Sequence, residues 1–137
     1  MRSMQRNGAT VNTPHNIGVA ARIGAYSDAV EVPGGSRWLV TAGTPGLSAD
    51  GALPEGIVPQ SELAWTHIVT LLKRAGMTVG DLVKVTQYLT RESDIAEYAR
   101  VRGRFLGNAR PASMLLVVPA LVRPGFLVEI EILAAKL

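Results

Sequence analysis

The strongest constraint on the fold is an amphipathic helix pattern over residues 59–76. Apolar side chains recur there at spacings of three and four residues, which places them on one helix face: Ala64, Ile68, Leu71, Leu72 and Ala75. Pro59 suits the first helical position, Glu62 then lies in the first turn, and Gly76 supplies the C-terminal stop. A helix with one apolar face has to bury that face against another element.

Segments with β-sheet character lie on both sides of this helix. Residues 27–32 and 37–44 are separated by PGGS, whose glycines permit the positive φ of a tight turn, so a hairpin is predicted. Residues 45–58 are rich in Gly and Pro and are predicted to form a long surface loop. Residues 82–89 are rich in β-branched side chains and are predicted to form a strand.

The C-terminal half adds a helix and two strands. Ser93 is a candidate N-cap for a helix that runs to about Leu106 and stops at Gly107. One row of this helix holds Ile95, Tyr98, Arg102 and Phe105. After Pro111, the runs SMLLVVPALV and FLVEIEILAA are predicted to be strands joined at Arg123-Pro124-Gly125. The order of elements predicts an α+β domain with both helices on one face of the sheet.

Length and composition are those of one folded domain. The chain has 137 residues, and its 47% apolar and 18% charged content excludes intrinsic disorder. Residues 1–16 are predicted to be a polar tail or an edge strand, and residues 17–137 a single domain. A sheet with helices on one face only would leave an apolar face bare. We expect a symmetric oligomer to cover that face.

Composition also excludes several classes of function. The absence of cysteine excludes disulfides, thiolate nucleophiles and Cys-based zinc sites. No apolar run approaches the roughly 18–20 residues of a membrane-spanning helix, and the first sixteen residues contain no apolar signal segment, so a cytoplasmic protein with no membrane partner is expected. His15 and His67 lack the spacing of metal ligands, and no metal or cofactor is expected.

The basic residues permit two interpretations. The net charge is +3, and several arginines lie between the middle of the chain and Pro111: Arg91, Arg100, Arg102, Arg104 and Arg110. They form either a binding surface for RNA or an anionic metabolite, or a solvated helix face. No aromatic residues are interleaved with them to stack bases, so nucleic acid is not an expected partner.

Two carboxylates stand out in the last strand. Glu129 and Glu131 are two residues apart, so both point to one face of the strand, between apolar neighbours. Two like charges there raise the free energy of the folded chain unless each is solvated, paired with an opposite charge or part of a functional site. The pattern alone leaves open whether this is an exposed face or a functional pair.

Five segments, in this order, resemble the YjgF/RidA family of reactive intermediate deaminases, also called the endoribonuclease L-PSP family. They are IGAY (23–26), TAGT (41–44), AGMTVGDLVKVTQYLT (75–90), RPAS (110–113) and RPGFLVEIEILA (123–134). The resemblance implies a chorismate mutase-like fold, with a mixed β-sheet and two helices on one face. It also implies a homotrimer whose sheets form a central barrel, with small-molecule clefts between adjacent subunits.

The resemblance further implies an activity and assigns residues to it. Family deaminases hydrolyse enamines and imines such as 2-aminoacrylate, without a cofactor, to a 2-keto acid and ammonia. Glu129 would position the attacking water, while Tyr26 and the backbone N–H of Gly43 would align the substrate. Ser113 stands where the family has an arginine that clamps the substrate carboxylate. The sequence also departs from the family at Ala42 (serine), Ala99 (asparagine), Arg102 (tyrosine) and Leu115 (cysteine).

Three functions therefore stay open. The first is a divergent deaminase, in which Arg110, Arg123 or the partner subunit's Arg102 supplies the missing cation. The alternative is a non-enzymatic small-molecule-binding or regulatory trimer, in which Tyr26 and Glu129 brace the interface. The third is an endoribonuclease or translation inhibitor, for which the chain lacks stacking aromatics and a histidine pair for acid–base chemistry.

Overall fold

A computed structural model describes residues 10–137 as an α+β fold, and residues 1–9 of the predicted tail lie outside the described residues. The elements, in chain order, are β1 Thr13–His15, β2 Ala29–Glu31, β3 Arg37–Val40, β4 Thr44–Pro45, α1 Ile57–Arg74, β5 Leu82–Leu89, α2 Ile95–Leu106, β6 Ala112–Val117 and β7 Val128–Lys136. The predicted helices and the predicted strand over residues 82–89 are confirmed.

The main sheet is mixed, as predicted, and has five strands. Its spatial order is β3-β7-β5-β6, and β4 pairs with a second part of β7. β5 and β6 are parallel, and the other pairs are antiparallel. Parallel neighbours cannot be joined by a tight turn, and α2 is the crossover that connects them.

Both helices pack on one face of this sheet, which confirms the predicted layer arrangement. The alternating residues Val128, Ile130 and Ile132 of β7 point into the core and are almost fully buried. On the predicted apolar face of α1, Ala64, Ile68 and Leu72 are buried, whereas the C-cap residue Ala75 is half-buried and Leu71 is 37% exposed. The largest core side chains, Trp65 and Tyr98, come from the two helices.

The opposite face of the sheet is uncovered in the single chain. Large apolar side chains on this face are well exposed: Trp38 53%, Val40 68%, Met114 52% and Leu116 39%. They occupy the strand positions that alternate with the core residues, so they form one surface, which we call the bare face. Within residues 10–137, no helix is both long enough and apolar enough to cross a membrane.

The predicted hairpin of residues 27–32 and 37–44 is wrong. β2 pairs with β1 in a separate two-stranded ribbon, whereas β3 pairs with the end of β7. Gly35 has the positive φ, 81°, that the turn requires. The strands on either side of the turn nevertheless join different sheets, because the predicted polar tail supplies the partner backbone for β2.

The start of each helix also differs from the prediction. α1 begins at Ile57, with Gly56 as its N-cap, so Pro59 is the third helical residue rather than the first. Glu62 consequently lies beyond the first turn, where it pairs with Arg104 at 2.8 Å. The predicted loop over residues 45–58 is shortened at both ends, by β4 and by the start of α1. Ser93 lies within a 3-10 turn and is not the N-cap of α2, which is Asp94.

The predicted strand over residues 113–122 ends early. β6 stops at Val117, and residues 118–127 form a loop before β7 begins. Pro119 has no N–H to donate to a sheet ladder, which accounts for the stop. β7 then inserts between β3 and β5, so the two C-terminal strands are joined in sequence but are not neighbours in the sheet.

Candidate functional site

A β-bulge lies where β3 gives way to β4. Val40 pairs with Leu133 and Thr44 pairs with Ile130, so residues 41–43 oppose only residues 131–132 of β7. One extra residue on one strand is the definition of a bulge. The bulge is exposed at Ala42 and Gly43.

Thr41 fixes the first residue of the bulge to β7. Its backbone N–H donates to the Ile132 carbonyl at 3.2 Å. Its hydroxyl accepts a hydrogen bond from the Ile132 N–H at 3.0 Å. Both backbone polar groups of Ile132 are therefore satisfied by Thr41, and Gly43 lies beside Glu129.

The Glu129 carboxylate lies directly against Gly43. A methyl group added at position 43 would come 2.5 Å from Oε1 of Glu129, so a glycine is needed for this close approach. Among residues 10–137, the carboxylate accepts no hydrogen bond and the Gly43 N–H donates none. A carboxylate acceptor and a backbone donor are therefore both available at one point on the surface.

The surroundings of Glu129 favour its protonated form. Burial raises the pKa of the Glu129 carboxyl, and the negative charge of Glu131 raises it further. Glu131 lies on the same face of β7, as predicted, but it accepts a hydrogen bond of 2.6 Å from the Tyr88 hydroxyl. The two glutamates thus differ: within residues 10–137, Glu131 has a hydrogen-bond partner and Glu129 has none.

A second polar group is buried between the helices and the sheet. Gln87 of β5 is fully buried, and its Oε1 accepts hydrogen bonds from the Tyr98 hydroxyl (2.8 Å) and from Nη1 of Arg102 (2.9 Å). Its Nε2 donates to Oγ of Ser113 at 3.0 Å and to the Met114 carbonyl at 2.8 Å. We call Trp65, Gln87, Tyr98, Arg102 and Ser113 the Gln87 cluster.

Two aromatic residues fix the direction of the hydrogen bonds in the Gln87 cluster. The Trp65 indole N–H donates to the Tyr98 hydroxyl at 3.3 Å. Burial raises the pKa of Tyr98 well above its usual value, and the Trp65 hydrogen bond and the Arg102 charge oppose this shift without cancelling it. The Tyr98 hydroxyl therefore stays protonated and donates to Gln87, which fixes the orientation of the amide.

The predicted site residues fall into two groups. The first is Glu129 with Gly43 and Ala42 at the bulge. The second is Arg102 and Ser113 in the Gln87 cluster, with the half-buried Leu115 two residues further along β6. Glu129 points away from the core, whereas Ser113 contacts the buried Gln87, so the two groups lie on opposite faces of the sheet.

Tyr26 lies near the second group. It is half-buried and precedes Ser27, which forms a bridge with Ala112 at the start of β6. The Ser27 N–H donates to the Pro111 carbonyl at 3.1 Å. Tyr26 is thus the neighbour in sequence of a residue that binds the RPAS turn. A role for Tyr26 and Glu129 on one ligand stays a prediction.

The other candidate arginines and the histidines have local roles. Arg110 donates to the carbonyls of Gly107 and Ala109 in its own turn. Arg123 lies over the ring of Phe126, 5.9 Å from its centroid. The two histidines contact loops and strands: His67 forms a hydrogen bond with the Leu47 carbonyl, and His15 pairs with Glu31, each at 2.8 Å. Of the three candidate cations, Arg102 shares a polar cluster with Ser113, and it does so within one chain, whereas the prediction took it from the partner subunit.

Gln87 and Tyr98 were not predicted as site residues. A signal for Gln87 exists in the sequence, because it takes the place of an apolar residue in the buried series Val83, Val85 and Leu89. A buried amide requires hydrogen-bond partners, and those partners are distant in the sequence. Arg102 gives a similar signal, since it lies in the otherwise apolar and aromatic row of α2.

The sequence model of the family described as endoribonuclease L-PSP matches residues 18–136. The chain belongs to this family. Among its L-PSP relatives, the 2-iminobutanoate/2-iminopropanoate deaminase of Mus musculus is 32% identical over 118 residues, which are 85% of this chain and 84% of the relative. The predicted YjgF/RidA membership is therefore confirmed.

Solved L-PSP structures also match the fold. The Rid family protein YyfB of Yersinia pestis superposes with a TM-score of 0.79 at 26% identity, covering 92% of this chain and 98% of that protein. Escherichia coli TdcF, crystallised with bound serine, gives a TM-score of 0.69 at 26% identity, with 84% and 91% coverage. The predicted mixed sheet with two helices on one face is the architecture of this L-PSP family.

Proposed function

We propose that the protein is a cofactor-free hydrolase of small 2-imino acids or their enamine forms. The observation that carries this proposal is the Glu129 carboxylate, which is partly buried, has a raised pKa and lies beside Gly43, whose N–H has no partner among residues 10–137. A carboxyl group in such surroundings suits general acid–base work on water. The mouse relative, which is named as a 2-iminobutanoate/2-iminopropanoate deaminase, indicates the class of substrate.

The proposed reaction consumes one water and releases one ammonia. Water held by Glu129 attacks C2 of the imine, and its proton passes through the carboxylate to the imine nitrogen as the C–O bond forms. The resulting tetrahedral carbon bears a hydroxyl and an amino group. The C–N bond then breaks, the hydroxyl proton leaves with the nitrogen, and a 2-oxo acid and ammonia are released. The Gly43 N–H and Tyr26 align the substrate.

We place this reaction in a cleft between subunits of a homotrimer. Glu129 and Ser113 are on opposite faces of one sheet, so a ligand that reaches both groups of site residues has to lie between two copies of the chain. The bare face supports such an assembly, because it carries four large exposed apolar side chains that a neighbouring copy would bury.

A coupled assay tests the proposed activity. 2-Iminobutanoate is generated by an L-amino-acid oxidase acting on 2-aminobutanoate, and the formation of 2-oxobutanoate is followed in the presence and absence of the protein. We expect the protein to accelerate this step beyond the hydrolysis in buffer. Glu129→Gln cannot accept a proton and should lower the rate by about 100-fold or more.

Glu131→Gln is the matched control, because Glu131 lies on the same strand and face but is engaged by Tyr88. It should retain the activity within a few-fold. A rate equal to that in buffer for the unmodified protein would refute the hydrolase and favour the non-enzymatic binding trimer. Full activity in Glu129→Gln, or loss of the oligomer in that variant, would instead assign Glu129 a structural role.

A further inference from the structure

The guanidinium of Arg102 has unused hydrogen-bonding capacity. Of its five N–H donors, one has a partner among residues 10–137, namely Oε1 of Gln87 at 2.9 Å. Arg100 and Arg104, on the same helix, pair with Glu97 and Glu62, but no carboxylate in the described part of the chain pairs with Arg102. A partly buried cation without a counter-ion is unusual.

This guanidinium is also held in place. The buried Gln87 amide cannot rotate, because its oxygen accepts from Tyr98 and its nitrogen donates to Ser113 and Met114. The plane of the Tyr98 ring provides a second contact, with the Arg102 Cζ 5.5 Å from the ring centroid. Cation–π contact and a fixed acceptor together restrict the long side chain before any ligand arrives.

The position of Arg102 allows an external ligand to reach it. Beyond Ala112, where Ser27 forms one bridge, the outer edge of β6 has no strand partner among residues 10–137. Ser113 and Leu115 on this edge are only half-buried, and so is Arg102 on α2. Ser113 and Arg102 both contact the Gln87 side chain, so the Ser113 hydroxyl adds a second polar group to the same cluster.

We propose that Arg102 binds the carboxylate of a small planar 2-oxo or 2-imino acid, and that it does so from α2 in place of a cation at position 113. The inference rests on the proposed function for the identity of the reaction, but the anion site itself is defined by Arg102, Gln87 and Ser113. The free edge of a guanidinium can form two parallel hydrogen bonds to one carboxylate. Arg102 is therefore the residue that selects an acid over its neutral analogue.

Binding measurements test this assignment without requiring turnover. The probes are 2-oxobutanoate and its neutral analogue 2-oxobutanamide, titrated calorimetrically into the full chain. We expect the acid to bind more tightly than the amide to the unmodified protein. Arg102→Met keeps the aliphatic stem and removes the charge, and it should weaken binding of the acid by at least about 30-fold while leaving the amide unchanged.

Two further variants control for general effects. Arg100→Met removes an arginine from the same helix that pairs with Glu97 in solvent, and it should change binding of the acid by less than about twofold. Arg102→Tyr/Ser113→Arg moves the cation from α2 to β6, and it should recover most of the affinity that Arg102→Tyr alone loses. Near-ultraviolet circular dichroism of each variant verifies that the fold is retained.

The outcomes separate this inference from the proposed function. Normal binding of 2-oxobutanoate by Arg102→Met, equal affinity for acid and amide, or no binding of either probe to the unmodified protein would overturn the inference. If Arg102→Met also turns over 2-iminobutanoate with an unchanged KM, the hydrolase stands and the Arg102 site falls. If the protein binds 2-oxobutanoate through Arg102 but has no hydrolase activity, the site stands and the reaction falls.

Discussion

At the scale of single residues, the protonation of Glu129 controls the proposed chemistry. The carboxyl has to be ionised to accept a proton from water, and its pKa lies above the ordinary value of 4.5 because of burial and of Glu131. The rate should therefore fall as the pH is lowered. Because the pKa is raised, this fall should begin at a higher pH than it would for a glutamate with the ordinary pKa. Glu131→Gln removes one of the two causes and should move this fall of kcat/KM to lower pH. An unchanged profile would mean that another group titrates.

The same shift has a consequence for stability. Because the folded pKa is raised, the contribution of Glu129 to stability is present below its unfolded pKa and is lost as the pH rises through the folded pKa. Glu129→Gln should therefore raise Tm at pH 7.5 but not at pH 4. The carboxylate is only partly buried, so the gain should not exceed about 2–4 °C. Thermal melts at matched protein concentration measure it, and a lower Tm at pH 7.5 would contradict it.

A substitution at Gly43 tests whether the activity depends on the position of the Glu129 carboxylate. Gly43→Ala places a methyl group 2.5 Å from Oε1 of Glu129 and has to displace that flexible side chain. Since φ of Gly43 is not positive, alanine fits the backbone, and we expect loss of activity by at least about tenfold with little change in Tm. Gly34→Ala, at a position with open space, is the control. Equal activity of the two variants would show that the close approach is incidental.

At the scale of elements, the Gln87 cluster joins two helices to two strands. Gln87→Leu leaves the Tyr98 hydroxyl without its acceptor in a place that water cannot reach, and it should lower the free energy of unfolding by about 1–3 kcal/mol. Adding Tyr98→Phe removes the unpaired hydroxyl, so the double variant should be more stable than the sum of the single losses predicts. Urea denaturation measures all three variants, and strict additivity would contradict the coupling.

The elements also show what the sequence can and cannot predict. α1 and β5 were predicted correctly because their periodicity is set by a core that each of them contacts along its whole length. The partner of β2 was not predicted correctly. A turn sequence determines the local bend of the chain, but it does not determine which strand forms backbone hydrogen bonds with β2. The Gln87 cluster has the same character, since Gln87 and Ser113 are 26 residues apart and meet only through a parallel pairing.

At the scale of the whole molecule, the bare face is the surface through which we expect copies of the chain to associate. We expect a sedimentation mass of three chains of 14.6 kDa at micromolar concentration. Met114→Glu places a charge on the bare face and should dissociate the assembly, because a buried unpaired carboxylate is costly. Leu71→Glu, at an exposed position of α1 on the helix side, should leave it intact. A single-chain mass for the unmodified protein would refute the trimer.

The chain contains two tryptophans, and their placement makes each a separate optical reporter. Trp65 is fully buried and hydrogen-bonded to Tyr98, whereas Trp38 is 53% exposed on the bare face. Iodide in solution should quench the emission of Trp38 in the free chain and lose access to it on association. The emission of Trp65 should instead respond to an anion bound at Arg102, because hydrogen bonds through Tyr98 and Gln87 link the two residues. Assembly and ligand binding can thus be followed independently by intrinsic fluorescence, without a label.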